Sequence, residues 1–187
     1  MDRIPLFPLD VVVFPGEPFG LHLFEERYLL MAEDVLEKEL PIGIVLAKQD
    51  EDEEVIEHAP EGPVGTAVLV SHAERIEERW NLETIGARRF VIHEVLSKKP
   101  YQEALVTWLE EKPGDGEYAQ ELASDLLTHI ESLGAHVDWD SASATDPVAV
   151  SHAVAASVPF DLFTKQRLLE AESAVDRLDA EMGLLRA

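Results

Sequence analysis

The sequence predicts an α+β chain: a β-rich part with one helix over residues 1–112, then a helical part over residues 113–187. Three observations carry this. Short apolar or alternating runs, bounded by proline and glycine, recur through the first 112 residues, which is the pattern of strands joined by turns. Beyond residue 116, apolar residues return at intervals of three and four, which is the pattern of helix faces. Between the two lies Glu111-Lys112-Pro113-Gly114-Asp115-Gly116, a turn-rich stretch that marks the boundary. With 187 residues, 46% hydrophobic and 28% charged, the chain fits one medium domain or two small subdomains sharing an interface.

The elements follow in order. Ile4–Leu6, Val11–Val13 and Gly20–Leu23 read as short extended pieces. Pro15-Gly16 makes a tight turn, and Pro5 and Pro8 lock extended backbone of the kind that suits edge positions. Phe14, Leu21, Leu23 and Phe24 are core candidates. Phe24, Tyr28, Met31 and Val35 share one face of a helix whose first turn carries Glu25 and Glu26, where the helix dipole favours negative charge. Ile42–Ala47 and Gly65–His72 are apolar runs consistent with buried strands. Arg79–Ile85 and Arg89–Val95 flank Gly86-Ala87, which predicts a hairpin turn. In Tyr101–Leu109, Ala104, Val106 and Trp108 fall on one side. Strands of this length and spacing fit a barrel-like or a sandwich-like sheet.

In the second part, Tyr118, Leu122, Leu126, Ile130 and Leu133 form one helical stripe, and Gly134 is placed to end it. Asp146-Pro147 is a helix start, with Asp as cap and Pro in the first turn, and that helix ends before Pro159. A last helix from Asp161 or Thr164 carries Leu168, Ala171, Val175, Leu178, Met182 and Leu185 on one stripe. Short loops between such helices predict a bundle of three to four.

Charge narrows the function. The formal net charge is −23, and both parts share it: residues 1–112 hold 11 basic and 24 acidic side chains, residues 113–187 hold 4 and 14. Nucleic-acid binding draws its affinity from Lys and Arg on phosphates, so a polyanion partner is disfavoured and a basic or neutral one favoured. The chain has no cysteine, which excludes disulfides, thiolate metal sites and a cysteine nucleophile, and fits a reducing cytoplasm. Pro5, Pro8 and Asp10 interrupt the one stretch resembling a signal peptide, and no apolar run approaches the roughly 18 residues of a membrane span. The expectation is a cytoplasmic, unprocessed protein.

No catalytic residue is assigned. None of the six lysines stands in a recognisable Ser-Lys context, and neither a G-x-x-x-x-G-K-[ST] loop nor a G-x-S-x-G elbow occurs. His22, between Leu21 and Leu23, reads as a hydrogen-bonded structural residue. His136-x-Asp138-x-Asp140, with Asp146 beyond, is the best metal-like cluster. It lacks the glycine and final glutamate of a calcium loop, so it reads as a polar inter-helix loop, and no metal or other cofactor is expected. Residues 50–57, DEDEEVIE, read as a solvated loop; a docking strip for a basic peptide and a weak Ca²⁺ site are the alternatives. Arg88-Arg89 and Lys98-Lys99 bracket one strand, and their functional reading is an RNA-phosphate patch.

Residues 4–28, IPLFPLDVVVFPGEPFGLHLFEERY, closely resemble the opening of the LON domain, which stands at the N-terminus of ATP-dependent Lon proteases and occurs in cereblon-type receptors and small free-standing homologues. Gly65-Thr66, Ile85–Ile92, Pro159-Phe160-Asp161 and Lys165–Glu170 match further, so the resemblance runs from residue 4 to about residue 170. Residues around 50 depart from the pattern, as does Glu77-Glu78-Arg79, where the family often has an Asp-Gly turn. The resemblance implies a mixed β pseudo-barrel similar to PUA domains, then a C-terminal helical bundle. It implies a non-catalytic module that recognises unfolded or exposed protein segments, with a separate protease as a further partner. A small hydrolase with an unrecognised site and a PUA-like RNA binder are the alternatives. The residues named for partner contact are Glu26, Arg27, Arg88 and Arg89, with Glu25 pairing to Arg27 or Arg88. Further contacts are expected in a groove between barrel and bundle.

Overall fold

The computed structural model describes residues 1–48, 59–135, 137 and 145–187. In chain order the elements are β1 (Asp2–Leu9), β2 (Pro18–Leu23), α1 (Glu26–Lys38), β3 (Ile42–Leu46), β4 (Val64–Ile76), β5 (Arg79–Leu96), β6 (Glu103–Trp108), α2 (Gly116–Ser132), α3 (Pro147–Ser157), α4 (Leu162–Glu170) and α5 (Ala174–Arg186). Internal contacts divide the chain into two units, Met1–Leu109 and Glu110–Ala187.

In the first unit the strands form one mixed sheet in the order β2-β5-β4-β3-β1-β6, and β5 also pairs with β6. The circuit of pairings therefore returns to β5, with β2 outside it. The length of β5 makes this possible. Trp80–Ile85 pairs with β2 on one side and β4 on the other, while Phe90–Leu96 pairs with β6. Two apolar clusters fill the unit. One gathers Leu21, Leu23, Tyr28, Met31, Val35, Ile42, Ile44, Val68 and Leu82; the other gathers Ile4, Leu6, Val45, Phe90, Ala104 and Val106.

Several local expectations change here. Gly86-Ala87 is not a turn. β5 runs through it, and the register shift between Ala67 and Val68 leaves Ala87 as the extra residue of a bulge. Gly86 is required by close approach: Gly16 N donates to Gly86 O at 2.8 Å, Gly86 N donates to Glu17 O at 2.9 Å, and a Cβ at Gly86 would lie 2.1 Å from Phe14 O. The hairpin turn is Glu77-Glu78, with Glu77 in the left-handed region at φ 55°. Strand β1 is interior rather than at an edge, yet it changes partner midway. Asp2–Pro5 pairs with β6 and Leu6–Leu9 with β3. Each proline thus lies in a singly paired stretch, where a missing N–H is tolerated.

Helix α1 buries Tyr28, Met31, Ala32 and Val35 as its spacing predicts, but Phe24 is 65% exposed. The helix begins at Glu26, so Phe24 precedes it and is not bound by its phase. The other three core candidates, Phe14, Leu21 and Leu23, are buried.

In the second unit α5 packs against α2, α3 and α4, and α2 against α3. The buried face of α2 is Ala119, Ala123, Leu126 and Ile130, while Tyr118 and Leu133 are exposed. The buried face takes in Ala119 and Ala123, which the predicted stripe left out. Gly134, at φ 71°, ends the helix as expected. Asp146 caps α3, accepting from Val148 N at 3.0 Å. The predicted last helix is two helices: the chain breaks after Glu170 and restarts at Ser173, whose side chain accepts from Asp176 N.

Candidate functional site

The junction of β2 and α1 gathers the surface features of the first unit. Glu25 occupies the N-cap of α1, its carbonyl accepting from Tyr28 N and Leu29 N at 2.9 Å each. Its carboxylate makes no cap bond. It accepts instead from Arg27 Nε at 3.0 Å and Nη2 at 2.7 Å. The expected orienting pair is thus Glu25–Arg27. The Arg27 guanidinium also lies 4.8 Å from the centre of the Tyr28 ring. Burial pushes the Tyr28 hydroxyl above its ordinary pKa, against the opposing pull of Arg27.

Phe24 stands on a rim shared by two hollows. One, of about 340 Å³, is lined by Phe7–Asp10 at the end of β1, by His22–Glu25 and by Tyr28 and Ala47. The other, more open and about 900 Å³, is lined by Phe24, Glu26, Leu29, Arg75, Glu77, Glu78 and Arg79. Arg75 stacks 5.6 Å from the Trp80 ring and lies 3.5 Å from Glu33. His22 Nδ1 lies 2.8 Å from Asn81 Oδ1, a hydrogen-bonded position as expected, though on the surface.

The four residues named from sequence separate. Glu26 and Arg27 belong to this junction. Arg88 is exposed on β5, 5.3 Å over the Trp108 ring. Arg89 is 1% exposed, opposite Thr66 of β4. Alternation along the strand turns adjacent side chains to opposite faces, so only one of the pair reaches solvent, and Arg89 is withdrawn as a surface contact. The sequence reading missed Phe24, which it placed in the core, and the Arg75–Arg79 hairpin. The signal for Phe24 was Glu25 as a cap, which puts the preceding residue outside the helix.

An ionic knot fixes α1 from below. Asp34 accepts from Lys38, from Tyr101 and from Lys99 at 2.8 Å, and Lys99 Nζ is 2.7 Å from the Tyr101 hydroxyl. These bonds, led by those of Lys38 and Lys99, hold the Asp34 carboxyl well below the usual range, and Asp34 in turn raises Lys99. Lys99 is therefore engaged with a carboxylate rather than presented to a phosphate.

In the second unit, Arg177 is fully buried, donating from Nε to Leu168 O and from Nη1 to Ser151 Oγ at 2.8 Å each. One turn on, Glu181 is also fully buried, and burial drives its carboxyl well above the ordinary value despite Arg177. A cavity of about 430 Å³ lies between α4 and α5, lined by Leu168, Ala180, Leu184 and Arg167 among others. Among the described residues, no group of three or more His, Asp or Glu is arranged to hold a metal ion. The His136-Asp138-Asp140 cluster and the acidic stretch 50–57 lie outside the described residues.

Comparison with known proteins decides the family. The model of the ATP-dependent protease La (LON) substrate-binding domain matches residues 3–187. The chain belongs to the LON substrate-binding domain family. Lon protease 2 of Myxococcus xanthus is 26% identical over 192 residues, which cover 97% of this chain and 23% of that protein. Lon protease 2 of Desulfotalea psychrophila is 27% identical over 195 residues, covering 97% and 24%. The chain thus spans about a quarter of the length of these relatives. A Lon N-terminal domain protein from Xanthomonas campestris superposes with a TM-score of 0.73 at 21% identity, covering 98% of each chain. The N-terminal domain of the Mycobacterium avium complex Lon protease superposes at 0.74 with 16% identity, covering 99% of this chain and 98% of that one. The LON fold is therefore shared across almost the whole chain. No helix of the described residues is long and apolar enough to cross a membrane.

Proposed function

We propose that this LON domain is a non-catalytic recognition module for unfolded or exposed protein segments, working in the cytoplasm, with a separate protease as a further partner. The observation that carries the reading is Phe24: a large aromatic, 65% exposed, placed between two hollows rather than in the core beside it. An exposed aromatic with concave surface on both sides suits a side chain of an extended partner. Glu26 and Arg27 flank it and remain the charged contacts of the proposal.

The finer architecture is part of the same reading. We take the circuit β5-β4-β3-β1-β6-β5 as a pseudo-barrel, and α2–α5 as a helical bundle. The closing β5–β6 pairing supports the first, and the packing of α5 on its three neighbours supports the second. The two subdomains would then join in the turn-rich stretch before α2. An RNA-binding reading loses support from the burial of Arg89 and the engagement of Lys99 by Asp34. No observation favours the hydrolase reading.

The test is isothermal titration of the full chain into an unfolded model polypeptide at moderate salt, with the same polypeptide folded as control. Heat with the unfolded form alone is the expected result. Equal heats, or none at high concentration, would remove the recognition reading.

A further inference from the structure

We propose that the free edge of β2 is a docking line for an extended polypeptide segment of alternating apolar and basic side chains, which joins the sheet as an added strand and seats an apolar side chain beside Phe24. This rests on the recognition reading above and names the chemistry of the segment and the way it is held.

The first support is backbone accounting. β2 pairs with β5 along its whole length, from Pro18 opposite Ile85 to Leu23 opposite Trp80. Among the described residues, the only other hydrogen bond to a backbone group of Phe19–Leu23 is that from Thr84 Oγ1 to Phe19 O at 2.6 Å. In an antiparallel pair, alternate residues turn N–H and C=O away from the partner. β2 therefore presents a row of open donors and acceptors, the template that strand addition uses.

The second support is the absence of the usual protection. Exposed edges are ordinarily blunted by charges, by proline within the strand or by bulges. Here Phe19-Gly20-Leu21-His22-Leu23 carries no lysine, arginine or carboxylate, and the register with β5 is unbroken. Pro18 stands at the first position, where it leaves the rest of the edge usable. Gly20 is exposed, with open space where a Cβ would be.

The third support is where the edge leads. Its last residues, His22 and Leu23, and Phe24 after them, line the hollow of about 340 Å³ together with Pro8, Leu9 and Asp10 at the end of β1. A strand laid along β2 turns every second side chain to the same face, so one near the end of the edge can be seated at this hollow.

Charge selects the occupant. Asp10 and Glu25 line the near hollow, and Glu26, Glu77 and Glu78 the far one. The cations facing them are Arg75 and Arg79, with Arg27 held by Glu25; Arg75 is already shared with Glu33. Carboxylates remain in surplus, so lysine or arginine on the outward positions of the segment is attracted and an acidic segment is repelled. The same surplus opposes a second copy of this chain pairing through β2, because both copies bring the same carboxylates to a chain of net charge −23.

The test uses the full chain and a fluorescein-labelled decapeptide of alternating valine and lysine, followed by anisotropy. Two further peptides carry backbone N-methyl groups, one on all odd residues and one on all even residues. A third replaces lysine by glutamate. Expected are saturable binding of the parent, a loss of about tenfold or more for one N-methyl set with little change for the other, a similar loss for the glutamate peptide, and slowed amide exchange at Phe19–Leu23. Equal binding of both N-methylated peptides would overturn strand addition while leaving segment recognition standing. So would failure of every decapeptide beside retained binding of an unfolded polypeptide. Failure of the polypeptide as well would remove the recognition reading itself. Slowed exchange at Phe19–Leu23 in a peptide-free dimer would assign the edge to a second copy instead.

Discussion

Replacing Phe24 by alanine separates a contact surface from a packing residue. A phenylalanine side chain offers roughly 200 Å², so 65% exposure leaves about 130 Å² open to water. Covering all of it would contribute about 3 kcal/mol at roughly 25 cal/mol per Å². A partner that covers half contributes about 1.5 kcal/mol, or about tenfold in affinity. The buried remainder is about 70 Å², so by the same conversion F24A should lower folding stability by no more than about 2 kcal/mol. Phe163 on α4, 56% exposed and outside both hollows, is the matched control: F163A should leave recognition unchanged. Urea unfolding gives the stability, and titration with an unfolded polypeptide gives the affinity. Unchanged binding in F24A would refute the assignment, and so would a stability loss of several kcal/mol.

Gly86→Ala forces a Cβ to 2.1 Å from Phe14 O and disturbs the paired bonds with Gly16 and Glu17. A loss of about 3–5 kcal/mol is expected in urea unfolding, and a loss under 1 kcal/mol would mean the Pro15-Gly16 turn can move aside. The Asp34 carboxyl titrates lower in the folded chain than in the unfolded one. Its contribution is therefore present above about pH 4 and is lost as pH falls through the lower folded value. Asp34→Asn should lose about 2 kcal/mol at neutral pH and show a flatter acid limb in unfolding followed against pH. Glu181 has the opposite sign: its folded pKa is raised, so stability falls as pH climbs from the unfolded value near about 4.3 toward the folded one. Glu181→Gln should match the parent in acid and exceed it at neutral pH, and parallel pH profiles for the two proteins would rule this out.

Element type was legible wherever periodicity was long. The strands around Ile42 and Gly65, the start of α3 at Asp146-Pro147 and the end of α2 at Gly134 follow from local chemistry. Illegible were facts that depend on a distant partner. Gly86 has the composition of a turn, and only the approach of Phe14–Glu17, some 70 residues earlier in the chain, makes it a bulged strand instead. The stripe Leu168–Leu185 reads as one helix because its spacing survives the break; Ser173 as a cap was the local signal that spacing alone passes over. At the site, Arg88 and Arg89 looked equivalent as a pair, yet which of two adjacent strand residues faces inward is set by the register with β4.

The junction itself can be tested for competition between stability and recognition. Glu25 holds the N-cap of α1 without a side-chain cap bond, since its carboxylate is turned to Arg27. A serine in that position can accept from the backbone N–H groups of the first turn, which is worth about 1 kcal/mol over a residue that does not. Glu25→Ser should therefore stabilise the fold by about that amount in urea unfolding. It should also weaken a basic segment, because it removes one carboxylate from the near hollow and with it the charge that offsets Arg27. The expected pair of results is a higher unfolding midpoint with affinity for the valine–lysine peptide lowered by about threefold. A variant both more stable and equally tight would show that Glu25 serves only the entry to the helix. One that is weaker in both would show that the Glu25–Arg27 pair holds the junction together, and the charge argument for the segment would then rest on Asp10, Glu26, Glu77 and Glu78 alone.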